Sequence, residues 1–206
     1  MTQNRKFLTI AVVLAACALT AAAAFAEDMP ARVRGTLQKV DGSNLIIETR
    51  GGKESTVPLK AGAPVIAVTK GAMSDIKSNT FVGITAMAQP DGTIKAVEVH
   101  VFEESMRGMG EGHYPWDLMP NSTMTNGAVT QQVQKVEGNT LQVKYKEGEK
   151  TIVVPTDAVI VNLVPGDKAD LKAGAHVFIP RWEKQADGTW DATVVVVGRD
   201  GMTPPM

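Results

Sequence analysis

Four methionines, Met106, Met109, Met119 and Met124, crowd around His113 in one stretch of the chain. Thioether sulfur and imidazole nitrogen are soft donors that suit Cu(I), so His113 with Met106, Met109, Met119 and Met124 forms the candidate metal set, with copper as its ion. The spacings follow no regular ligand motif. The competing use of methionine is to fill irregular gaps where a loop meets a packed core, which implies no cofactor at all. His100 and His176 fall in apolar stretches that read as strands and are expected to be structural. The sequence contains no H-E-x-x-H, nucleophile-elbow or Ser/His/Asp signature. Glu103-Glu104, Asp187, Asp191 and Asp200 show nothing that would set two carboxylates in one cleft as an acid and a base. A protein that is not an enzyme is the expectation.

The methionines belong to a connector, residues 104–126, that also carries Tyr114, Trp116 and Leu118, although aromatic residues make up only 5% of the chain. Flexible linkers are rich in Gly and Ser or in charge. Large apolar side chains favour burial by about 1.5–3 kcal/mol each, so Tyr114, Trp116 and Leu118 are expected to pack an ordered connector against its neighbours.

What flanks the connector is one unit used twice. KVDGSNL from Lys39 returns as KVEGNTL from Lys135, 96 residues later. In the same order and at nearly the same offset, Val57-Pro58 returns as Val154-Pro155, DIKSNTFVGI from Asp75 as DLKAGAHVFI from Asp170, and Asp91-Gly92-Thr93 as Asp187-Gly188-Thr189. Such ordered self-similarity marks an internal repeat, with copies at residues 31–103 and 127–201 and a short tail at 202–206.

Within each copy, β-branched runs are broken by turn residues. Val40-Asp41-Gly42, Gly51-Gly52, Glu147-Gly148 and the two Asp-Gly-Thr turns each put a glycine where a hairpin needs positive φ. In Val97–Val101 apolar and polar residues alternate, which predicts Val97, Val99 and Val101 on one face, while Val194–Val197 reads as a strand covered on both sides. Helical character is confined to single turns at Met73–Lys77 and Lys168–Lys172. The expected fold is all-β: two tandem small OB-like β-barrels of about six short strands each, closed because short strands otherwise leave exposed edges.

The first residues predict export. Arg5 and Lys6 precede an apolar run from Phe7 to Ala24, and Ala24-Phe25-Ala26 forms a small-residue cleavage site before Glu27-Asp28. Residues 1–26 are therefore expected to be a cleaved signal peptide, leaving a mature form with no membrane span in the periplasm. Leu14-Ala15-Ala16-Cys17 also resembles a lipobox, the alternative being a lipid anchor at Cys17. Cys17 is the only cysteine in the chain, so cysteine-ligated zinc is excluded. With 21 basic and 22 acidic residues, nothing favours nucleic acid as a partner, and an oligonucleotide-binding barrel would need a basic groove with aromatic platforms.

The DIKSN and DLKAG segments, the Asp-Gly-Thr turns and the GEGHYPWDL connector resemble those of small exported bacterial proteins built from the domain-of-unknown-function 5666 repeat. That resemblance implies an OB-like barrel and an envelope location, and it supplies no reaction, ligand or catalytic residue. The expected function is a non-enzymatic periplasmic binding or scaffolding module for an envelope protein or small ligand. A copper-binding protein using the His/Met connector is the alternative, and an uncharacterised envelope enzyme the third.

Overall fold

The computed structural model describes residues 29–135 and 138–206. The expected signal peptide and Cys17 lie outside the described residues. The first copy supplies β1 (Val33–Asp41), β2 (Asn44–Thr49), β3 (Glu54–Pro58), β4 (Val65–Lys70), β5 (Phe81–Ala88) and β6 (Ile94–Phe102). The connector supplies β7 (Gly112–Pro115) and the start of β8 (Thr123–Lys135). There follow β9 (Gly138–Tyr145), β10 (Gly148–Pro155), β11 (Val159–Pro165), β12 (His176–Ile179), β13 (Trp182–Lys184), β14 (Trp190–Ala192) and β15 (Val195–Gly198). Helix is limited to single 3-10 turns at Met73–Asp75, Glu104–Met106 and Lys168–Asp170, so the class is all-β. Among the described residues no helix is long and apolar enough to cross a membrane.

Local chemistry explains the hairpins. In the β5–β6 turn Gly92 has φ of 84°, and Asp91 Oδ1 accepts from the Thr93 amide at 2.9 Å and the Thr93 hydroxyl at 2.7 Å. Asp187 repeats this with Thr189 at 3.0 and 2.6 Å. The Asp-Gly-Thr triplet thus recurs because Asp closes the turn and Gly supplies the left-handed step.

The strands of one copy do not close on themselves. β8, β9 and β10 run antiparallel in order, β8 then pairs β5, β5 pairs β6, and β6 meets β10 in parallel at Lys95↔Val153, closing a five-stranded barrel. Two of those strands come from the first copy and three from the second. The barrel core shows the same mixture: Val82, Ile84, Val99 and Val101 pack against Val129, Leu141, Val143, Ile152 and Val154. The reciprocal set joins β1, β2 and β3 of the first copy to β12 and β15 of the second, around Leu37, Leu45, Ile47, Val57, Val177, Ile179, Val195 and Val197. There β3 approaches β14 through one parallel bridge, Leu59↔Ala192. The repeat boundaries therefore mark copies in sequence, whereas each apolar core is made by strands from both.

Antiparallel β4 and β11 join the two sets, β11 lying parallel to β6 and β4 parallel to β15. A third apolar cluster fills the space between them, with Ile66, Phe81, Phe102, Leu163, Phe178 and Val196 at its heart. Met206 is 4% exposed within that cluster, so the end expected as a tail packs inward.

One expected face needs correction. Val99 and Val101 enter the barrel core, but Val97 does not; Ala96 takes the inward place. The ladder steps from Thr85↔Glu98 to Ala86↔Ala96, leaving Val97 as the extra residue of a β-bulge, which resets the alternation. The doubly covered strand is present as expected: Val195 and Val197 face one cluster and Val196 the other.

Candidate functional site

The soft ligands of the connector do not converge on His113. Its Nδ1 lies 2.8 Å from Thr125 Oγ1, and its ring stacks on Tyr145 at 6.1 Å. Burial, aided by the charge of Lys150, holds the imidazole below its usual pKa. Met124 precedes Thr125 on β8, and neighbouring strand residues point to opposite faces. His113 therefore stands on the face away from Met124. Met119 is 42% exposed, while Met106 is buried in the third cluster. Only Met109 and Met124 reach a common space. Among the described residues no three His, Cys, Asp or Glu side chains are grouped to hold a metal ion.

That space is a cleft of about 370 Å³ between the two strand sets, roofed by the connector. Trp116 is placed by a tight loop. Its amide donates to the Ser122 carbonyl at 2.8 Å, and the Ser122 hydroxyl returns a bond to the Trp116 carbonyl at 3.0 Å. Asn121 turns the chain with φ of 63°, a conformation Asn tolerates better than most residues. So held, the indole meets Phe178 edge-on at 6.1 Å and Tyr114 at 6.1 Å. The Arg32 guanidinium covers its ring at 4.1 Å. Tyr114 and Leu118 are half-buried. Burial pushes the Tyr114 phenol up, against the opposing charges of Arg181 and Arg32.

The opposite wall holds a buried polar group that includes His100, a histidine expected to be structural. Thr85 donates to Glu98 Oε1 at 2.6 Å, and His100 Nε2 approaches the same oxygen at 3.2 Å without hydrogen-bonding geometry. Thr85, Glu98 and His100 are 0, 1 and 3% exposed. His100 lines the cleft with Asn126 of β8, whose Nδ2 is satisfied by the Gly110 carbonyl at 3.0 Å and by Tyr114 Oη at 3.2 Å. Gly83 keeps this wall open. A Cβ there would lie 2.6 Å from Asn126 Oδ1 and 3.1 Å from the Phe102 ring. A carboxylate beside an imidazole is the beginning of a general-base pair. The hydroxyl next to this pair, on the fully buried Thr85, donates to Glu98.

Six buried polar side-chain atoms lack a hydrogen-bond partner among the described residues, and four belong to residues lining this cleft: Arg32 Nε, Trp116 Nε1, His100 Nε2 and Asn126 Oδ1. Such atoms are uncommon in folded proteins, and each calls for an explanation. Alternation in the sequence already put Glu98 and His100 on the face opposite Val99. Nothing local could announce Arg32, Phe178 and Arg181, which arrive from distant parts of the chain.

No protein-family model, curated protein or solved structure matches the chain.

Proposed function

We propose that the protein is an exported, non-enzymatic binding module of the periplasm, built as two OB-like barrels that exchange strands, with the cleft under the connector as its ligand site. The observation that carries this reading is the coincidence of a roofed, largely apolar cavity with four unpartnered buried polar atoms. Ligand sites pair an apolar lining with a few placed polar groups in this way. Purified protein titrated with the neutral fluorescent probe N-phenyl-1-naphthylamine is expected to give saturable one-to-one enhancement. Val194→Trp, which narrows the cleft from its far wall, is expected to abolish the enhancement while leaving the circular dichroism spectrum intact. Enhancement that never saturates, or that survives Val194→Trp, sinks the reading.

A second reading, a carrier of copper, rests on one observation: Met109 and Met124 line the space that also exposes His100. Soft thioethers with an imidazole favour Cu(I). Stoichiometric Cu(I) binding lost in Met124→Leu but kept in His113→Ala would support it, and the reverse pattern would return the site to His113.

A further inference from the structure

We propose that the cleft takes a compact aromatic carboxylate, its ring held against Trp116, Phe102 and Phe178 and its carboxylate held at Arg32 and Arg181. The proposal rests on the binding-module reading and specifies the ligand class. Charge gives the first argument. Two guanidinium groups, Arg32 and Arg181, line the cavity, and among the described residues no Asp or Glu side chain does. The nearby acid, Asp117, is shared: Arg34 donates to its two oxygens at 2.7 and 3.2 Å, and Arg32 pairs with it more loosely at 3.4 Å, leaving Arg32 Nε without a partner. Arg181 is exposed and makes no ion pair among the described residues. Planar guanidinium groups match the geometry of carboxylates.

Hydrogen bonding gives the second. Arg32 Nε and Trp116 Nε1 are both donors, buried and unpartnered. A cation would leave them unmet, whereas carboxylate oxygens supply what they lack. Shape and surface give the third. At about 370 Å³ the cavity falls near the lower end of small-ligand sites. Trp116 and Phe178 already meet edge-to-face at 79°, an arrangement that admits another ring. The thioethers of Met109 and Met124 make favourable contacts at ring edges.

The test compares 2-naphthoate with its neutral isostere 2-naphthamide by calorimetry, on the protein and on Arg181→Gln, Arg32→Gln and Trp116→Phe. The acid is expected to bind about tenfold more tightly than the amide, the difference one charge-assisted contact makes. Arg181→Gln, at an exposed side chain, is expected to shrink that ratio to about twofold while N-phenyl-1-naphthylamine still binds. Trp116→Phe keeps a ring and removes only the donor, so it is expected to weaken the acid more than the probe. Equal affinity for acid and amide, with the probe still bound, overturns the carboxylate and leaves the cleft a site for neutral ligands. An acid preference unchanged in both arginine variants overturns the placement of the charge. Cu(I) that displaces the probe from a cleft indifferent to the acid overturns the proposal in favour of a soft metal.

Discussion

The two walls of the cleft come from equivalent positions of the two copies and differ in chemistry. At the offset of 96 residues set by the Asp-Gly-Thr turns, Glu98 and His100 of β6 correspond to Val194 and Val196. At the offset set by DIKSNTFVGI and DLKAGAHVFI, Gly83 corresponds to Phe178. The inward positions of the same strands agree closely: Ala96, Val99 and Val101 in one core match Ala192, Val195 and Val197 in the other. What packs a barrel stayed alike in both copies, while what faces the cleft became polar and open on one side, apolar and filled on the other.

The largest effect should come from separating the copies. Because each core needs strands from both, residues 29–110 and 111–206 expressed apart are expected to show no dispersed amide signals, and mixing them is expected to restore the spectrum of the intact chain. A folded 29–110 fragment would mean that the first copy closes on its own and that the facing walls are incidental.

Converting the polar wall into the apolar one gives the next largest change. His100→Val alone removes the imidazole 3.2 Å from Glu98 Oε1 and is expected to cost about 1–3 kcal/mol in urea unfolding. Glu98→Val with His100→Val copies the other wall, and replacing a buried polar pair by packed apolar groups is often close to neutral. The double variant should therefore recover most of the loss while losing ligand selectivity. If the single and double variants are equally unstable, the pair is not coupled. Gly83→Ala probes the same wall more gently. Its Cβ must displace Asn126 Oδ1, with a cost of about 1–3 kcal/mol expected for overpacking. The same substitution at Gly42, whose added Cβ would meet nothing within 4 Å but whose φ is 60°, separates the clash from the backbone cost.

How much of this was legible in the sequence follows from where each signal lives. Hairpins and the inward faces were legible, because turn residues and period-two alternation act within a few neighbours. Val97 was misplaced because a bulge is decided by the partner strand, whose register step between Thr85 and Ala86 lies in no local pattern. The strand exchange was invisible for the same reason: a repeat shows which segments are alike and cannot show which of two equivalent segments a strand pairs with. Trp116 stands out in the connector as a large apolar residue, but the side chains it meets, Phe178 and Arg32, lie 62 residues after it and 84 before it. His113 drew notice for its neighbours in sequence, whereas β7 pairing turned it toward Thr125 and left His100 to face the cleft.

The smallest predicted effect uses the same comparison at the edge of the fold. Asp75 and Asp170 are equivalent, and each accepts an amide bond at the start of its 3-10 turn, from Ala72 at 2.9 Å and from Asp167 at 3.0 Å. Only the second copy adds an arginine: Arg199 donates to both oxygens of Asp170 at 2.9 Å, where the first copy has Glu103 at the matching place. The Arg199 bonds, then the Asp167 amide, lower the Asp170 pKa from 3.8 to about 2. A carboxylate whose folded pKa lies below its unfolded value contributes stability that is complete above the unfolded value and lost as pH falls through the folded one. Unfolding midpoints in urea should therefore fall between pH of about 4 and 2 more steeply for the protein than for Asp170→Asn. Parallel curves for the protein and Asp170→Asn would show that the Arg199 pair contributes nothing, and that the second copy's extra arginine has no effect on how firmly its half of the fold is held.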